Sequence, residues 1–456
     1  MKQRTRGKNT RVAVAALALT MALAPLSACS GGGTAEKVFP TYETNHSFYV
    51  AGWGCPYVAE EDYRLAKEAG INHFLVTEDY SKQNVFLKQA ELDLGTGAGI
   101  TSVMHVGNSY NSVLEKPDTD YNVFAEHIDR VCYSDEPIYK DFDTLKSWAA
   151  EHDQKYGNQF AFYVNLLGAT EKLTDFSDTE ETQTFEHYLE EYCEKVLGEI
   201  KTGEKILSCD YYPITENVTY GIKSIKLNWL YSLEQTMYYA HKYGAKHEEM
   251  IQVAKHKNGS DNYPESTENS LRFQAYVLLN FETTGFTYFT YSSPDSSFSG
   301  SCVNLNKSQS LNAQYDYVKK INEELRAFEN IYLNYKVDGV MPVYSSENED
   351  ESDKNPVMKM MKYSQKSLDG VSSVVASQDT LVSGMSDKDE NKAMVITNFS
   401  NPYDGDSDEV TIQFDSSKKY TRLAVFRKGE RKVYEIKDNQ ITLELEMGEG
   451  VFVMPA

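Results

Sequence analysis

The chain has few cysteines, and they are not paired in sequence. There are six in 456 residues, and five of them, Cys55, Cys132, Cys193, Cys209 and Cys302, show neither close pairs nor metal-ligand spacing. The sequence therefore predicts no disulfide framework and no zinc site. Cys132 and Cys209 fall inside strand-like runs, where we expect buried thiols that pack as small apolar side chains.

Positive charge is also scarce. The formal net charge is −23, which argues against a nucleic-acid partner. A phosphate-binding glycine loop is not readable, because the glycine-rich stretch at 95–99 precedes a predicted strand instead of the start of a helix. No EF-hand spacing supports a calcium site among the many acids, and no cofactor or metal is implied.

The apolar run near the N-terminus, at 12–24, is too short to span a bilayer comfortably. Five basic residues precede it, and together they are typical of an export signal. The segment Leu26-Ser27-Ala28-Cys29 resembles the bacterial lipobox, whose cysteine is lipid-modified and becomes the first mature residue. This resemblance implies a lipoprotein signal peptide at 1–28, lipidation of Cys29, a flexible tether at 29–45 and a mature charge of −28. The folded part would then lie outside the cytoplasmic membrane of a bacterium, with an ordinary secreted protein as the alternative.

Residues 46–335 alternate between apolar runs and helical stretches, a pattern that favours parallel strands joined by crossover helices. Eight such runs lie at 48–52, 73–77, 100–106, 130–133, 160–167, 206–210, 250–254 and 286–291. Eight is the number of strands that closes a (β/α)8 TIM barrel, an α/β fold. A doubly wound open sheet gives the same alternation, so the pattern alone leaves both folds open.

The character of the sequence changes after the eighth repeat. Residues 336–371 are predicted to be a linker with an acidic loop. Residues 372–456 read as short strands separated by turns, which predicts a small all-β domain, an antiparallel β-sandwich.

Candidate site residues follow the predicted strands, because parallel strands aim their following loops at one face of a barrel. Asp135 and Glu136 follow the fourth run and precede a proline that fixes the turn, and Asp210 ends the sixth run. The other candidates for substrate binding are Trp53, Asp79, His105, Asn165, Tyr211, Tyr212, Gln252, His256 and Tyr291. A structural role stays open for each: Asp135 as a helix cap, Asp210 as a turn residue, the aromatics as core.

Several segments carry a family resemblance: 48–54 with 60–72, Asp135-Glu136-Pro137, 163–166, 208–213 and 271–276. They resemble bacterial glycoside hydrolase-like TIM barrels related to the family 42 β-galactosidase barrel, which carry a trailing β-sandwich. The resemblance covers roughly residues 46 to 335. It implies an acid/base glutamate at the end of strand four, which maps onto Glu136. It also implies a glutamate nucleophile at the end of strand seven, where this chain has no acid.

Cleaving a glycosidic bond needs one carboxylic acid and one carboxylate. We expect Glu136 to be the acid, with a pKa raised by Asp135 or by an apolar wall, and Asp210 to be the second group. The 33 tyrosines suit sugar surfaces, since tyrosine offers an apolar face and a hydroxyl.

These features predict a membrane-anchored glycoside hydrolase that acts on an oligosaccharide or glycan. The missing acid on strand seven keeps a second hypothesis open, a non-catalytic carbohydrate-binding lipoprotein on the same barrel. A third, the solute-binding lipoprotein of a sugar transporter, predicts two open-sheet lobes, and the β-rich tail argues against it.

Overall fold

The computed structural model describes residues 47–77, 85–105, 120–169, 184–293, 297–304, 310–346, 352 and 354–456. The predicted signal peptide and tether, Cys29, Asp79 and much of the acidic loop lie outside these residues. Within the described ranges, no helix combines the length and the apolar character needed to cross a membrane.

Eight parallel strands close into a barrel. They are β1 (Tyr49–Trp53), β2 (His73–Thr77), β3 (Thr101–His105), β4 (Ile128–Asp135), β5 (Ala161–Leu167), β6 (Ile206–Asp210), β7 (Lys246–Gln252) and β8 (Thr283–Phe289). Each strand pairs with the next along the chain, and β8 pairs back onto β1. The TIM barrel is therefore confirmed, and the closed sheet excludes the two open lobes of a solute-binding protein.

Helices lie between the strands, and most of those with described side chains bury one face. The helices are α1 (Glu60–Glu68), α2 (Val85–Gly97), α3 (Phe142–Tyr156), α4 (Phe185–Lys195), α5 (Trp229–Tyr243), α6 (Glu268–Asn280) and α7 (Ala313–Arg326). On α3, for example, Leu145, Trp148, Ala149 and His152 are buried at the three- and four-residue spacing of a helix face, whereas α6 is buried along almost its whole surface. Gly244 ends α5 in a left-handed conformation, with a φ of +66°, as the glycine at this position predicts.

An ion pair fills the amino end of the barrel. Arg130 donates to both carboxylate oxygens of Glu248, at 2.6 and 2.8 Å, and its guanidinium lies 3.3 Å from the centre of the Tyr49 ring. Both charged side chains are only 4% exposed. The pair occupies the end of the barrel opposite to the predicted site, so its role is structural.

The C-terminal domain is a sandwich of two antiparallel sheets around one apolar core. Two short helices, α8 (Glu329–Tyr332) and α9 (Pro356–Lys359), flank its first strand. Its strands are β9 (Tyr335–Val343), β10 (Val371–Ala376), β11 (Thr380–Asp387), β12 (Lys392–Asn398), β13 (Asp408–Phe414), β14 (Arg422–Arg427), β15 (Glu430–Glu435), β16 (Gln440–Leu445) and β17 (Gly450–Pro455). One sheet has the order β9-β11-β12-β17-β14-β15, and the other has the order β10-β13-β16.

The boundary of this domain differs from the predicted one. Residues 336–371 do not form a linker throughout, because β9 pairs with β11 along its whole length and belongs to the larger sheet. Its alternation of exposed and buried residues was hidden by Asp338 and Gly339, where the pairing register shifts. The β domain therefore begins with β9, directly after α8.

Candidate active site

The end of β4 is shaped by a β-bulge. The pairing with β5 slips by one residue between Cys132 and Ser134, and beyond the slip Asp135 lies opposite Asn165. Without the extra residue, strict alternation would turn Asp135 away from the side on which Cys132 lies. The bulge also lets the Tyr133 ring stack on Phe162 outside the barrel, 4.6 Å away, where its hydroxyl contacts a histidine of α3.

Asn165 connects two carboxyl groups. Its amide nitrogen donates to Asp135 Oδ1 at 2.9 Å and to Asp210 Oδ2 at 3.4 Å. One nitrogen atom reaches both oxygens, so the two carboxyl groups lie side by side above β5. The backbone N–H of Glu136 donates to the Asn165 carbonyl at 2.8 Å, which fixes Glu136 at the same rim. Asp135, Glu136 and Asp210 are each half-buried.

The carboxyl groups of Asp135 and Asp210 have raised pKa values. Burial raises the pKa of Asp135 to about 6, against the stabilising hydrogen bond from Asn165. Burial also raises the pKa of Asp210 well above its usual value, and the negative charges of Glu136 and Asp135 raise it further. Asp210 Oδ2 accepts a hydrogen bond from the Tyr212 hydroxyl at 3.1 Å, whereas its Oδ1 has no hydrogen-bond partner among the described residues. Both aspartates are therefore shifted towards their protonated forms.

Aromatic rings line the mouth on the side of β1, β8 and the loops after β6 and β7. We call this set the aromatic wall: Trp53, Tyr212, His256, Tyr263, Phe289 and Phe298. The Tyr212 and Phe289 rings lie 4.9 Å apart, and His256 stacks on Tyr263 at 4.5 Å. Trp53, Tyr212, Phe289 and Phe298 keep part of their surface exposed, so their rings are open to a ligand.

His256 is held as a neutral ring within the aromatic wall. Burial lowers its pKa, and its Nδ1 lies 2.9 Å from the Ala254 carbonyl. A carbonyl only accepts, so the single proton of the neutral ring sits on Nδ1 and Nε2 keeps its lone pair. The ring offers a hydrogen-bond acceptor rather than a positive charge.

Three residues that were predicted to bind substrate are buried and packed against other parts of the protein. The Gln252 amide is fully buried and forms a clamp with Ile214, accepting from its N–H and donating to its C=O, both at 3.1 Å. Tyr291 is buried, with its ring packed edge-on against Phe74 at 5.1 Å. Tyr211 is buried too, and its ring packs so closely on Gly168 that a Cβ there would lie 2.5 Å from it.

The other predictions fall on the rim or outside the described residues. Trp53, Asn165, Tyr212 and His256 lie at the mouth with the carboxyl cluster. His105 ends β3 on the same rim, and Asp79 is not described. β7 ends at Gln252, so no acid stands at its carboxyl end.

Sequence reasoning missed Tyr263, Phe289 and Phe298. Phe289 read as part of a buried strand, and no periodicity connects the other two to the mouth, because they lie in the loops after β7 and β8. Within the described ranges, no group of three or more histidine, cysteine, aspartate or glutamate side chains is arranged to hold a metal ion. The carboxyl groups beside the aromatic wall are able to donate and accept protons.

No protein-family model matches this chain, and a comparison with curated proteins finds no match either. Among solved structures, the chain is similar to an Anoxybacillus α-amylase, with 9% identity and a TM-score of 0.46, over 90% of this chain and 98% of that one. It is also similar to a family GH27 β-L-arabinopyranosidase from Geobacillus stearothermophilus, with 9% identity and a TM-score of 0.43, over 90% and 96% of the two chains. Both neighbours are glycoside hydrolases, and similarity at this level carries no information about the substrate of this chain.

Proposed function

We propose that this protein is a glycoside hydrolase that cleaves an oligosaccharide or glycan outside the cell. One observation carries the proposal: Asp135, Glu136 and Asp210 meet at the carboxyl end of the barrel, beside aromatic rings that are open to a ligand. Carboxyl groups supply the acid and the carboxylate that glycoside cleavage needs. Aromatic faces bind the apolar C–H face of a pyranose while polar groups bind its hydroxyls.

The proposed roles follow from the acidity of the cluster. Burial raises the pKa of Asp210, and the negative charges of Glu136 and Asp135 raise it further. Asp210 is therefore our choice for the acid that protonates the leaving oxygen. Glu136 then acts as the carboxylate, either on the sugar or on a water molecule. This order is the reverse of the roles expected from the sequence. Asn165 holds Asp135 and Asp210 in place by its two hydrogen bonds.

Leaving-group dependence tests these roles. Purified Asp210→Asn and Glu136→Gln variants are compared with the parent on a panel of glycosides, each carrying either a dinitrophenyl or a natural sugar leaving group. A dinitrophenolate leaves without protonation, so Asp210→Asn should keep most activity on that series and lose at least a hundredfold on the natural one. Glu136→Gln should lose activity on both series. Glu444→Gln, an exposed glutamate on β16, is the matched control.

Two outcomes contradict the proposal in different ways. If Glu136→Gln spares the dinitrophenyl series and Asp210→Asn does not, the roles are those expected from the sequence. If the parent hydrolyses no glycoside of the panel, or if neither substitution reduces its hydrolysis, the barrel is not a hydrolase that acts through these groups.

A second candidate function is a barrel that binds glycans without cleaving them. The observation that favours it is the end of β7, where Gln252 is committed to the Ile214 backbone and no carboxylate is present. Glycan-array binding that survives in Glu136→Gln, together with no turnover by the parent, would support it.

We further propose that Cys29 is lipidated and anchors the mature chain to the outer face of the cytoplasmic membrane. The lipobox-like segment before it supports this. Labelled palmitate should enter the parent and Cys55→Ser, and membrane fractions should contain both. Cys29→Ser should take up no label and appear in the soluble fraction. Label in Cys29→Ser would refute the anchor.

A further inference from the structure

The β domain contains a cavity of about 210 Å³ that is separate from the barrel mouth. It lies between the two sheets, at the end where β9, β11 and β12 face β10 and β13. Its floor is apolar and buried, and consists of Leu368, Val371, Met394 and Phe414. Its rim is polar, so the cavity offers one apolar surface surrounded by hydrogen-bonding groups.

The charges on and beside the rim are paired with one another. Lys392 Nζ lies 3.2 Å from Asp369 Oδ2 and 3.5 Å from Asp338 Oδ2, and Lys418 Nζ lies 3.0 Å from Asp369 Oδ1. Lys392 Nζ also lies 3.6 Å from Glu390 Oε2. Each lysine is therefore already paired with an acid, and a strongly charged ligand would have to displace one of these partners. A neutral ligand with several hydroxyls can accept from the lysines and donate to the aspartates.

The aromatic ring of Tyr420 forms one side of the cavity. Tyr420 is half-buried, and its ring packs edge-to-face on Phe414 at 5.4 Å. A pyranose ring has apolar C–H faces and hydroxyls around its edge. This combination matches the apolar floor, the tyrosine ring and the polar rim of the cavity. We propose that this cavity binds one sugar unit of a neutral polysaccharide and is a second carbohydrate site of the protein.

The position of the cavity separates it from the carboxyl cluster. β12 starts at Lys392, in the cavity lining, and ends at Asn398. The following residue, Phe399, packs against Trp229 and Phe273 on barrel helices. A strand of this length spans about 20 Å.

The cavity itself lies near the amino end of the barrel, because Asp338 in its lining follows Val337, whose N–H donates to Glu282 Oε2 at 2.7 Å just before β8 begins. The carboxyl cluster stands at the opposite, carboxyl end. The site would keep a polymer near the protein without taking part in its chemistry.

Affinity electrophoresis of the purified protein tests the inference. Gels contain amylopectin, galactomannan or arabinoxylan, and every protein carries Glu136→Gln so that no gel is degraded. Tyr420→Ala removes the aromatic ring from the side of the cavity, and Ser367→Trp fills the cavity from an exposed position in its lining. Both should weaken retention at least tenfold in the gel that retards the parent. Tyr434→Ala, an exposed tyrosine on β15 outside the lining, should behave like the parent.

The inference is overturned if no gel retards the parent, or if Ser367→Trp is retarded as strongly as the parent. Its failure is distinct from a failure of the proposed hydrolase, because retention is measured without turnover. Tyr420→Ala and Ser367→Trp, made in a chain that keeps Glu136, should hydrolyse a small glycoside at the parent rate. A loss of that rate in both would show that the cavity supports the fold instead of binding a sugar.

Discussion

Glu136 occupies a left-handed backbone conformation, with a φ of +49°. This conformation costs a residue with a Cβ about 1 kcal/mol, and glycine avoids the cost. Such strain is a reason to ask whether the side chain has a role, although the exposed Lys419 keeps the same conformation at a place where none is proposed. Here the residue stands beside Asp135 and opposite Asp210, where a carboxylate has a proposed chemical role.

Replacing Glu136 by glycine should therefore separate stability from activity. We expect Glu136→Gly to raise the free energy of unfolding by about 1 kcal/mol and to abolish hydrolysis. Lys419→Gly is the control, because Lys419 is exposed and has a φ of +53°. It should give a similar gain without affecting hydrolysis. Urea unfolding and initial rates measure the two effects. A glycine variant that is less stable than the parent would show that the Glu136 side chain serves the fold.

Asp135 should make the protein less stable as the pH rises. Burial raises its pKa to about 6, so between pH 4 and 6 the folded state binds a proton that the unfolded state has lost. This contribution favours folding at low pH and disappears as the pH rises through 6. Asp135→Asn mimics the protonated group, and it should add about 2 kcal/mol of stability at pH 7.5 but little at pH 4.

Urea unfolding at the two pH values measures this difference. Asp438→Asn, an exposed aspartate in the turn before β16, should change neither value. Equal or lower stability of Asp135→Asn at pH 7.5 would mean that the ionised carboxylate is stabilised by its surroundings.

At the scale of elements, the sequence predicted the barrel strands well. Apolar runs overlap all eight, and β2 and β6 have the bounds that were expected. Burial on both faces makes most of these strands continuous apolar runs. β7 is the exception: it begins at Lys246, four residues before the predicted run, because its buried His247, Glu248 and Glu249 are polar. β9 was not predicted because polar residues, a glycine and a proline interrupt its apolar residues, and its pairing register shifts near Gly339.

The site was harder to predict than the strands. Position at the carboxyl end of a strand was enough to place Asp135 and Asp210 on one rim. The direction of a side chain depends on alternation, and one extra residue in β4 reverses it. Contacts such as Asn165 with both aspartates, or the commitment of Gln252 to Ile214, join segments far apart in the chain. No local pattern encodes them.

Gln252 shows how an element depends on one such contact. Its amide satisfies both backbone groups of Ile214, the first residue of the hairpin that follows Tyr212. We expect Gln252→Ala to cost about 2 kcal/mol, because two buried backbone groups lose their partner. Gln252→Glu should also be destabilising near neutral pH, since a carboxylate cannot donate to the Ile214 carbonyl, and the deficit should shrink as the pH falls.

Measuring hydrolysis shows whether the side chain at position 252 only holds Ile214 or can also act as a nucleophile. Gln252→Glu restores the acid that the family resemblance expects on strand seven, yet the structure directs that side chain to Ile214. It should give no gain in hydrolysis. Gln440→Ala, an exposed glutamine on β16, is the control for stability. A faster Gln252→Glu would mean that the clamp releases the side chain into the mouth.

At the scale of the whole molecule, the barrel and the β domain share a packed interface. Phe452 of β17 stacks on Phe328 at 5.2 Å and contacts Tyr332 of α8. The Asn280 amide of α6 donates to Thr397 of β12 at 2.7 Å. Buried aromatic packing of this kind carries several kcal/mol, more than a flexible pair of domains would share. The two parts should unfold together.

The positions of the tryptophans make this testable. The chain has three, Trp53, Trp148 and Trp229, and all lie in the barrel region, so tryptophan fluorescence follows barrel unfolding while far-UV circular dichroism follows both domains. Phe452→Ala should destabilise the protein by about 3 kcal/mol and shift both signals by the same amount, although the residue lies in the β domain. Val433→Ala, at an exposed position on β15, should shift neither. Two separate transitions, with fluorescence unmoved by Phe452→Ala, would mean that the barrel is stable alone and that the β domain is an attachment rather than a support.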